Sequence, residues 1–290
     1  MFKKTGGGGV SDVTTDFDNR GTLNVLSGSI TFSGGFVNND GAVIHGRVTH
    51  RTTFDRKIIT TVSAAVPSDF NGDGMSYILW QNANGQASIW DMNGNALTGG
   101  GGLSPNPGSS WKAIGTGDFN GDGHADILWQ NSDGQASIWE MNGNTLIGGG
   151  AVTPNPGPAW QAIGTGDFNG DGLSGILFQN ASSGQVSIWE MNGNNLIGGG
   201  PVNPNPGLAW KAVGTGDFNG DGFSDILFQN TSTGQVSIWE MDRNKLIGGG
   251  PVSPNPGPAW KAIGTDDFND DAFPTSCFKT RRPARSRSGR

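Results

Sequence analysis

The chain repeats an Asp-Phe-Asn element at nearly constant intervals, and this repeat limits the folds that it can adopt. The element recurs 49, 49, 50 and 50 residues apart, at Asp69, Asp118, Asp167, Asp217 and Asp267. Periods of this length are typical of propellers and solenoids, so the pattern inside one unit decides between them. No window shows a 3.6-residue apolar period, which excludes stacked pairs of helices.

One unit, starting at Trp111, predicts four short strands joined by tight turns. The segments WKAIGTGDF, ILWQN, QASIWEM and TLIGGGAV read as strands. They are separated by the loop NGDGHAD, the turn SDG and the dipeptide Asn142-Gly143, and the Pro-rich TPNPGPAW ends the unit. Four such strands form one blade of a β-propeller. The sequence therefore predicts an all-β fold, a partial β-propeller of about four four-stranded blades, over residues 63–273.

Ten tryptophans against a single tyrosine need a local cause, and the repeat supplies one. The tryptophans recur on the first strand (Trp111, Trp160, Trp210, Trp260), the second (Trp80, Trp129) and the third (Trp90, Trp139, Trp189, Trp239). Rings inside apolar strands fill the wedge between neighbouring sheets, whereas exposed rings stack on sugars. The packing interpretation is favoured, since every unit repeats the rings. The methionines two residues after the third-strand tryptophans are also interpreted as packing: Met92, Met141, Met191 and Met241.

The acidic residues are concentrated in loops, which points to a bound cation. The formal net charge is −7, and ten of the 25 Asp and Glu lie within the loops 69–73, 118–126, 167–171 and 217–225. Carboxylates at such density repel one another unless a cation holds them together. The same charge makes nucleic acid a poor partner. No apolar run is long enough to predict a membrane span.

These loops are variants of D-x-N-x-D-G-x-x-D, which offers oxygen atoms at alternate positions, as a short calcium loop does. The complete loops offer side-chain oxygens and one backbone carbonyl each, from Asp118, Asn120, Asp122, His124 (carbonyl) and Asp126, and from Asp217, Asn219, Asp221, Phe223 (carbonyl) and Asp225. An EF-hand is excluded, because Trp129 and Phe228 hold the position of its final Glu. The alternative, that these are ordinary turn-forming residues, is less favoured.

Two loops lack the closing carboxylate, and one lacks most of the pattern. Tyr77 and Gly175 hold the last position of the loops 69–77 and 167–175. Weaker calcium binding is expected there, through Asp69, Asn71 and Asp73 and through Asp167, Asn169 and Asp171. In the fifth loop Asp270 and Ala272 replace the glycines, and no site is expected.

The loop and the strand after it, DFNGDGHADILWQN, resemble the repeats of FG-GAP and VCBS proteins, and the resemblance extends from about residue 63 to 273. Such repeats form integrin-type β-propellers with a calcium ion in a blade hairpin. The resemblance implies Ca²⁺ as the ligand and a non-enzymatic module of an exported bacterial protein. It further implies an extracellular or cell-surface location and a role in adhesion, with a protein or glycan ligand.

The alternative function is a carbohydrate-binding propeller or the accessory domain of a secreted hydrolase, with Trp90 and its third-strand counterparts as sugar-stacking rings. An enzyme is not expected. His45, His50 and His124 follow no repeat spacing, and Glu140, Glu190 and Glu240 recur in successive units as structural residues do.

Residues 1–62 do not follow the repeat. Phe17 and Asn19 recur as Phe36 and Asn38, 19 residues later, and the segment resembles an adhesin-like β-helix fragment. Its basic start has no apolar stretch behind it, so no signal peptide is visible. The chain is expected to be a piece of a longer exported protein.

Residues 274–290 form a basic tail that we interpret as a frameshift product. Shifted by two bases, one possible coding sequence of the tail reads DILFQNASSGQVSIWE, whose last fifteen residues equal Ile176–Glu190. Cys277 and the six basic residues of the tail are then accidental, and the propeller is cut off. An unclosed row of blades leaves an exposed edge, so self-association is expected.

Overall fold

The computed structural model describes residues 68–266 without a gap, together with the backbone of strands within residues 2–50 and of residues 275–280. The predicted domain boundaries at 62/63 and 273/274 lie outside the described residues. Among the described residues no helix is long and apolar enough to cross a membrane.

The N-terminal strands pair in parallel. They are β1 (Phe2–Lys4), β2 (Val10–Val13), β3 (Phe17–Asn19), β4 (Thr22–Phe32), β5 (Phe36–Asn38) and β6 (Val43–His50). Strand β4 pairs with β1, β2 and β6, and β3 pairs with β5. Phe17 lies opposite Phe36 and Asn19 opposite Asn38, the residues related by the 19-residue repeat. The adhesin-like β-helix stays a prediction.

The repeats form a row of separate antiparallel sheets, one per unit. The first blade comprises β7 (Ile78–Gln81), β8 (Ala87–Asn93) and β9 (Ala96–Gly102). The second comprises β10 (Trp111–Gly117), β11 (Asp126–Asn131), β12 (Ala136–Asn142) and β13 (Thr145–Ala151). The third comprises β14 (Trp160–Gly166), β15 (Gly175–Asn180), β16 (Val186–Asn192) and β17 (Asn195–Pro201). The fourth comprises β18 (Trp210–Gly216), β19 (Asp225–Asn230), β20 (Val236–Asp242) and β21 (Lys245–Pro251). A last pair, β22 (Trp260–Asp266) and β23 (Thr275–Thr280), follows.

The prediction of an all-β, partial propeller is confirmed. Each complete blade is a meander in which consecutive strands pair, with the order β10-β11-β12-β13 in the second blade. The first blade shows three strands within the described residues, since its expected first strand precedes residue 68. The row of blades is not closed into a ring within the described part of the chain.

Apolar residues from adjacent blades meet in a series of cores. Between the first and second blades, Ala87 and Ile89 pack with Ile127, Trp129 and their neighbours. Equivalent clusters join the second blade to the third and the third to the fourth. The predicted packing role of the methionines is confirmed in the complete blades, where Met141, Met191 and Met241 are buried.

The repeated aromatic rings pack in pairs on one face of each blade. In the second blade the Trp129 and Trp139 ring centroids lie 5.2 Å apart at 56°. Phe178 and Phe228 take the place of Trp129 in the later blades and pack against Trp189 and Trp239 at 4.9 and 4.8 Å. Tilted contacts at this distance are favourable for aromatic pairs, which supports the packing interpretation.

A buried glutamine on the second strand of each complete blade ties it to the next blade. The Nε2 group of Gln179 donates to the carbonyl oxygens of Gly184 (3.2 Å) and Trp210 (2.9 Å). Its Oε1 accepts a hydrogen bond from the Ala212 N–H at 3.1 Å. Gln130 and Gln229 make the same three bonds one blade earlier and one blade later. The amide thus satisfies backbone groups that adjacent blades leave unpaired.

We expect Gln179→Ala to lower the free energy of unfolding by about 3 kcal/mol. The substitution leaves the Trp210 carbonyl and the buried Ala212 N–H without their partner, and unsatisfied buried groups cost about 1–3 kcal/mol each. The matched control is Gln161→Ala on strand β14, where the side chain is exposed. Denaturant melts of both variants measure the difference, and an equal loss in the two would contradict the role of Gln179.

Candidate functional site

The loops predicted to bind calcium join the first and second strands of each blade. Residues 118–125 connect β10 to β11, and the corresponding segments 167–174 and 217–224 follow β14 and β18. The loop of the first blade precedes β7. The closing residues Asp126, Gly175 and Asp225 are each the first residue of the second strand.

The alternating oxygen-bearing side chains of the second-blade loop are brought together and organise the loop backbone. The Asp118 carboxylate accepts hydrogen bonds from the N–H groups of Gly121 (2.6 Å) and Gly123 (3.0 Å). Asn120 Oδ1 accepts from Asp122 N–H, and Asn120 Nδ2 donates to Asp122 Oδ2 at 3.1 Å. Each carboxylate oxygen has more than one lone pair, so these bonds leave capacity for another partner.

The loops of the third and fourth blades have the same arrangement. Asp167 and Asp217 each accept from two glycine N–H groups of their own loop, at 2.7–2.9 Å. The amide-to-carboxylate bond recurs between Asn169 and Asp171 and between Asn219 and Asp221, at 2.9 Å in both. The first-blade loop is organised in the same way, because Asp69 and Asn71 also accept hydrogen bonds from N–H groups of their own loop. The repeated sequence therefore produces the same pattern of hydrogen bonds in four loops.

The closing aspartates lie deeper than the other loop residues. Asp126 is fully buried, and its carboxylate accepts from Phe119 N–H (2.8 Å) and Met141 N–H (2.9 Å). Asp225 is bound in the same way by Phe218 and Met241. The closing carboxylate therefore links the start of the loop to the hairpin between the third and fourth strands. Gly175 supplies no such group in the third blade.

Burial makes the charged forms of these carboxylates costly. It raises the pKa of Asp126 to about 7. The two backbone hydrogen bonds of Asp126 act in the opposite direction and lower this pKa, whereas the nearby carboxylates of Asp118 and Asp122 raise it further. Burial likewise raises the pKa of Asp225 to about 7 and that of Asp167 to about 6. A cation beside these groups would favour their ionised forms.

The first-blade loop is closed by a tyrosine. Tyr77 is buried, and its hydroxyl donates to Asp73 Oδ2 at 2.5 Å. This bond lowers the pKa of the Asp73 carboxyl, whereas burial raises the pKa of the Tyr77 phenol. Where the second blade has a closing carboxylate, the first has a neutral donor that binds the loop directly.

Neighbouring loops are also bound to each other, a feature that the sequence did not reveal. The N–H groups of Ala125, Ser174 and Ser224 donate to the carbonyls of Asp69, Asp118 and Asp167 in the preceding loop, at 2.6–2.7 Å. Only backbone atoms form these contacts, so the residue at the donor position can vary between blades. No residue type in the sequence therefore indicates the contact.

The two residues expected to bind calcium through their carbonyls use their side chains to cover the preceding loop. His124 Nδ1 lies 3.1 Å from the Phe70 carbonyl oxygen. The Phe223 ring lies so close to Gly170 of the preceding loop that a methyl group added at this glycine would be 2.9 Å from the ring. Leu173 covers Gly121 of its preceding loop at the same distance. The loops are therefore stacked along the row of blades.

The donor set fits calcium in its chemistry. The loops combine carboxylate and amide oxygens with backbone carbonyls, which are the ligands that calcium takes. Within the described part of the chain, no group of three or more His, Cys, Asp or Glu side chains is arranged around a common point for a metal ion. The three aspartates of the second loop, and the three of the fourth, therefore do not converge on one point. The closing Asp126 and Asp225 instead accept hydrogen bonds from backbone N–H groups.

Comparison with known proteins identifies the repeat. A family model described as an FG-GAP-like repeat matches residues 69–129 and 118–178, and one described as an FG-GAP repeat matches residues 209–239. None of the curated proteins compared with the chain matches it.

Solved structures that resemble part of this chain do so at low sequence identity. The chain is similar to the Photorhabdus luminescens Tc holotoxin pore at 12% identity and a TM-score of 0.42, covering 79% of this chain and 11% of that chain. It is similar to the Dos1 propeller at 9% identity and a TM-score of 0.42, and the match covers 65% of this chain and 46% of that chain. It is similar to Kuenenia stuttgartiensis hydrazine synthase at 10% identity and a TM-score of 0.40, and the match covers 74% of this chain and 55% of that chain. The chain thus spans 11–55% of the length of these structures.

Proposed function

Because this chain is an FG-GAP repeat protein, we propose that it is a calcium-binding, non-enzymatic β-propeller module of an exported bacterial protein, which mediates adhesion or another interaction at a cell surface. The observation that carries the proposal is the repeated loop, in which two carboxylates and an asparagine are held together at the junction of adjacent blades. Calcium would be held by Asp118, Asn120, Asp122 and Asp126 in the second blade and by Asp217, Asn219, Asp221 and Asp225 in the fourth.

The role proposed for the ion is structural. Each loop binds the loop of the preceding blade through its backbone, so an ion that fixes one loop also fixes the contact between two blades. Calorimetric titration of the calcium-stripped protein tests the proposal. We expect strong binding at the two complete loops and weaker binding at the third. At the first loop, where the sequence predicts weaker binding, we now expect none, because the Tyr77 hydroxyl already binds Asp73. The absence of any calcium binding would overturn the metal assignment.

The recurrent glutamates support a role other than catalysis. Glu140, Glu190 and Glu240 each lie over a glycine of the fourth strand, and a methyl group added at Gly148 would lie 2.2 Å from Glu140 Oε2. The same contact recurs in the third and fourth blades, which favours a structural role for these carboxylates. The non-enzymatic function remains part of the proposal.

The carbohydrate-binding alternative has less support. Trp139, Trp189 and Trp239 are partly buried, and each packs against an aromatic ring of its own blade. Trp90 is 41% exposed, but it lies on the first blade, where the covering sheet of a preceding blade is missing from the described residues. Its exposure therefore goes with the uncovered face of this blade among the described residues, which is no specific sign of a sugar-binding surface.

We propose that this face of the first blade, formed by Ile78, Trp80 and Trp90, binds a second copy of the chain. Ile78 and Trp80 are 39% and 48% exposed, whereas their counterparts Ile127 and Trp129 are at most 1% exposed because the first blade covers them. The first blade therefore exposes the face that, in the second blade, packs against the neighbouring blade. Exposed apolar patches of this kind favour association.

We expect Trp80→Ser to shift the protein from oligomer to monomer, because it removes the more exposed of the two tryptophan rings of this face. Light scattering over a concentration series measures the change. Ile147→Ser is the matched control, since Ile147 is 53% exposed but lies on the outer strand β13. A wild-type protein that is monomeric at all concentrations, or equal behaviour of the two variants, would contradict the proposal.

A further inference from the structure

Three hairpin turns of the chain have the same sequence and the same backbone conformation but different surroundings. The third and fourth strands of the first three blades are joined at Asn93-Gly94, Asn142-Gly143 and Asn192-Gly193. The glycine φ angles are 58°, 58° and 57°. Asn-Gly is the dipeptide most prone to deamidation, because glycine leaves its own backbone nitrogen free of steric cover. The three turns are therefore internal controls for one another.

The turns differ in what binds the glycine nitrogen. The Gly143 N–H donates to the Phe70 carbonyl at 2.6 Å, and the Gly193 N–H donates to the Phe119 carbonyl at 2.7 Å. In both cases the acceptor belongs to the loop of the preceding blade. Within the described part of the chain, the Gly94 N–H has no hydrogen-bond acceptor, and both Asn93 and Gly94 are exposed.

The other Asn-Gly pairs of the chain are protected in a different way. In the four loops the N–H groups of Gly72, Gly121, Gly170 and Gly220 donate to the first aspartate of the loop, at 2.6–2.8 Å. The Gly85 N–H donates to the Asn82 carbonyl at 3.0 Å. Seven of the eight Asn-Gly pairs thus have their glycine nitrogen engaged in a hydrogen bond.

We propose that Asn93 is a site of spontaneous deamidation in the folded protein and that the other Asn-Gly pairs are protected by the hydrogen bonds of their glycines. The Gly94 nitrogen loses its proton to solvent and attacks Asn93 Cγ. The side-chain nitrogen takes up a proton from solvent and leaves as ammonia as its bond to Cγ breaks, which gives a succinimide ring. Water then opens the ring at one of its two carbonyls, which gives aspartate or isoaspartate at position 93.

The modification changes the first blade in two ways. It adds one negative charge to an exposed turn, and the isoaspartate form lengthens the main chain within the turn that pairs Asn93 with Ala96. The β8–β9 hairpin then loses its register at that end. Any blade docked in front of the first blade would place a loop carbonyl over Gly94, as Phe70 lies over Gly143, and would stop the reaction.

Peptide mass mapping of the full chain, incubated at mildly alkaline pH, tests this inference. We expect deamidation to accumulate at Asn93 in the folded protein, with Asn142 and Asn192 unchanged over the same time. In urea all eight sites should react, because the protecting hydrogen bonds are lost. The Trp80→Ser variant is incubated in parallel, so that docking of a second copy cannot protect Gly94.

Two further measurements make the result decisive. Asn93→Gln should abolish the native-state product, because the longer side chain forms the ring much more slowly. Methyl transfer by an isoaspartyl methyltransferase should detect the isoaspartate fraction in the wild type but not in this variant. Equal rates at Asn93 and Asn142 in the folded protein, or an unreactive Asn93 in folded Trp80→Ser, would overturn the inference.

Discussion

Removal of calcium is expected to destabilise the protein by about 5 kcal/mol. A ligand that binds only the folded state stabilises it by about 2.7 kcal/mol when its free concentration is one hundred times Kd. The two complete loops together then contribute about twice that value. This is a large part of the total free energy of unfolding of a folded domain, which is roughly 5–15 kcal/mol. Thermal melts in calcium and in chelator measure the change.

The calcium effect should also depend on pH, in a direction fixed by the buried aspartates. The pKa of Asp126 and of Asp225 is about 7 in the fold and 3.8 in the unfolded chain. Between these values the unfolded chain binds fewer protons than the folded one, so the stability of the calcium-free protein falls as the pH rises. Calcium holds the ionised forms and offsets this loss. The difference between melts in calcium and in chelator should therefore grow from pH 4 to pH 7.

Matched variants separate a metal site from an ordinary turn. Asp118→Ala and Asp217→Ala each remove a proposed ligand, and each should abolish about half of the calcium-dependent stabilisation. Asp133→Ala is the control, since Asp133 is an exposed turn residue whose carboxylate accepts from Gln135 N–H and belongs to no loop of this kind. It should lose stability equally in calcium and in chelator. Melting curves of the wild type that coincide in calcium and in chelator would remove the proposal.

The strands of the blade follow from the sequence because their signals are local. The alternating strand after Trp111, the Asp-Phe-Asn loop and the Asn142-Gly143 turn each lie within a few residues, and the structure confirms all four strands. The role of Gln130 was missed for the opposite reason. Its partners Trp160 and Ala162 lie about 30 residues away in the next blade, so nothing near Gln130 in the sequence indicates them.

The candidate site was predictable in its composition but not in its depth. The repeated Asp and Asn identify the loop, and the structure brings Asp118, Asn120 and Asp122 together there. The sequence does not show that Asp126 is fully buried and bound by two backbone donors, since burial depends on the hairpin that packs over it. Nor does it show that Tyr77 donates a hydrogen bond to Asp73, because a tyrosine at a ligand position indicates only a missing carboxylate.

Replacement of that tyrosine by aspartate is expected to cost more stability without calcium than with it. Tyr77→Asp restores the complete spacing of the second and fourth loops. Without calcium we expect a loss of about 3 kcal/mol or more, because a buried ring of the core between the first two blades is replaced by a charge. With calcium the variant should bind one additional ion and regain part of this loss.

Tyr77→Phe is the control for this exchange. It keeps the ring in the core and removes only the hydroxyl that donates to Asp73, so it should lose less stability than Tyr77→Asp and gain no calcium site. Equilibrium dialysis counts the bound ions, and melts in calcium and in chelator give the stability of each variant. If Tyr77→Asp binds no more calcium than the wild type, or if Tyr77→Phe gains an ion as well, the hydroxyl of Tyr77 does not take the place of a calcium ligand. The expected result makes the first loop the one that is closed without metal, because a neutral donor binds the Asp73 carboxylate there.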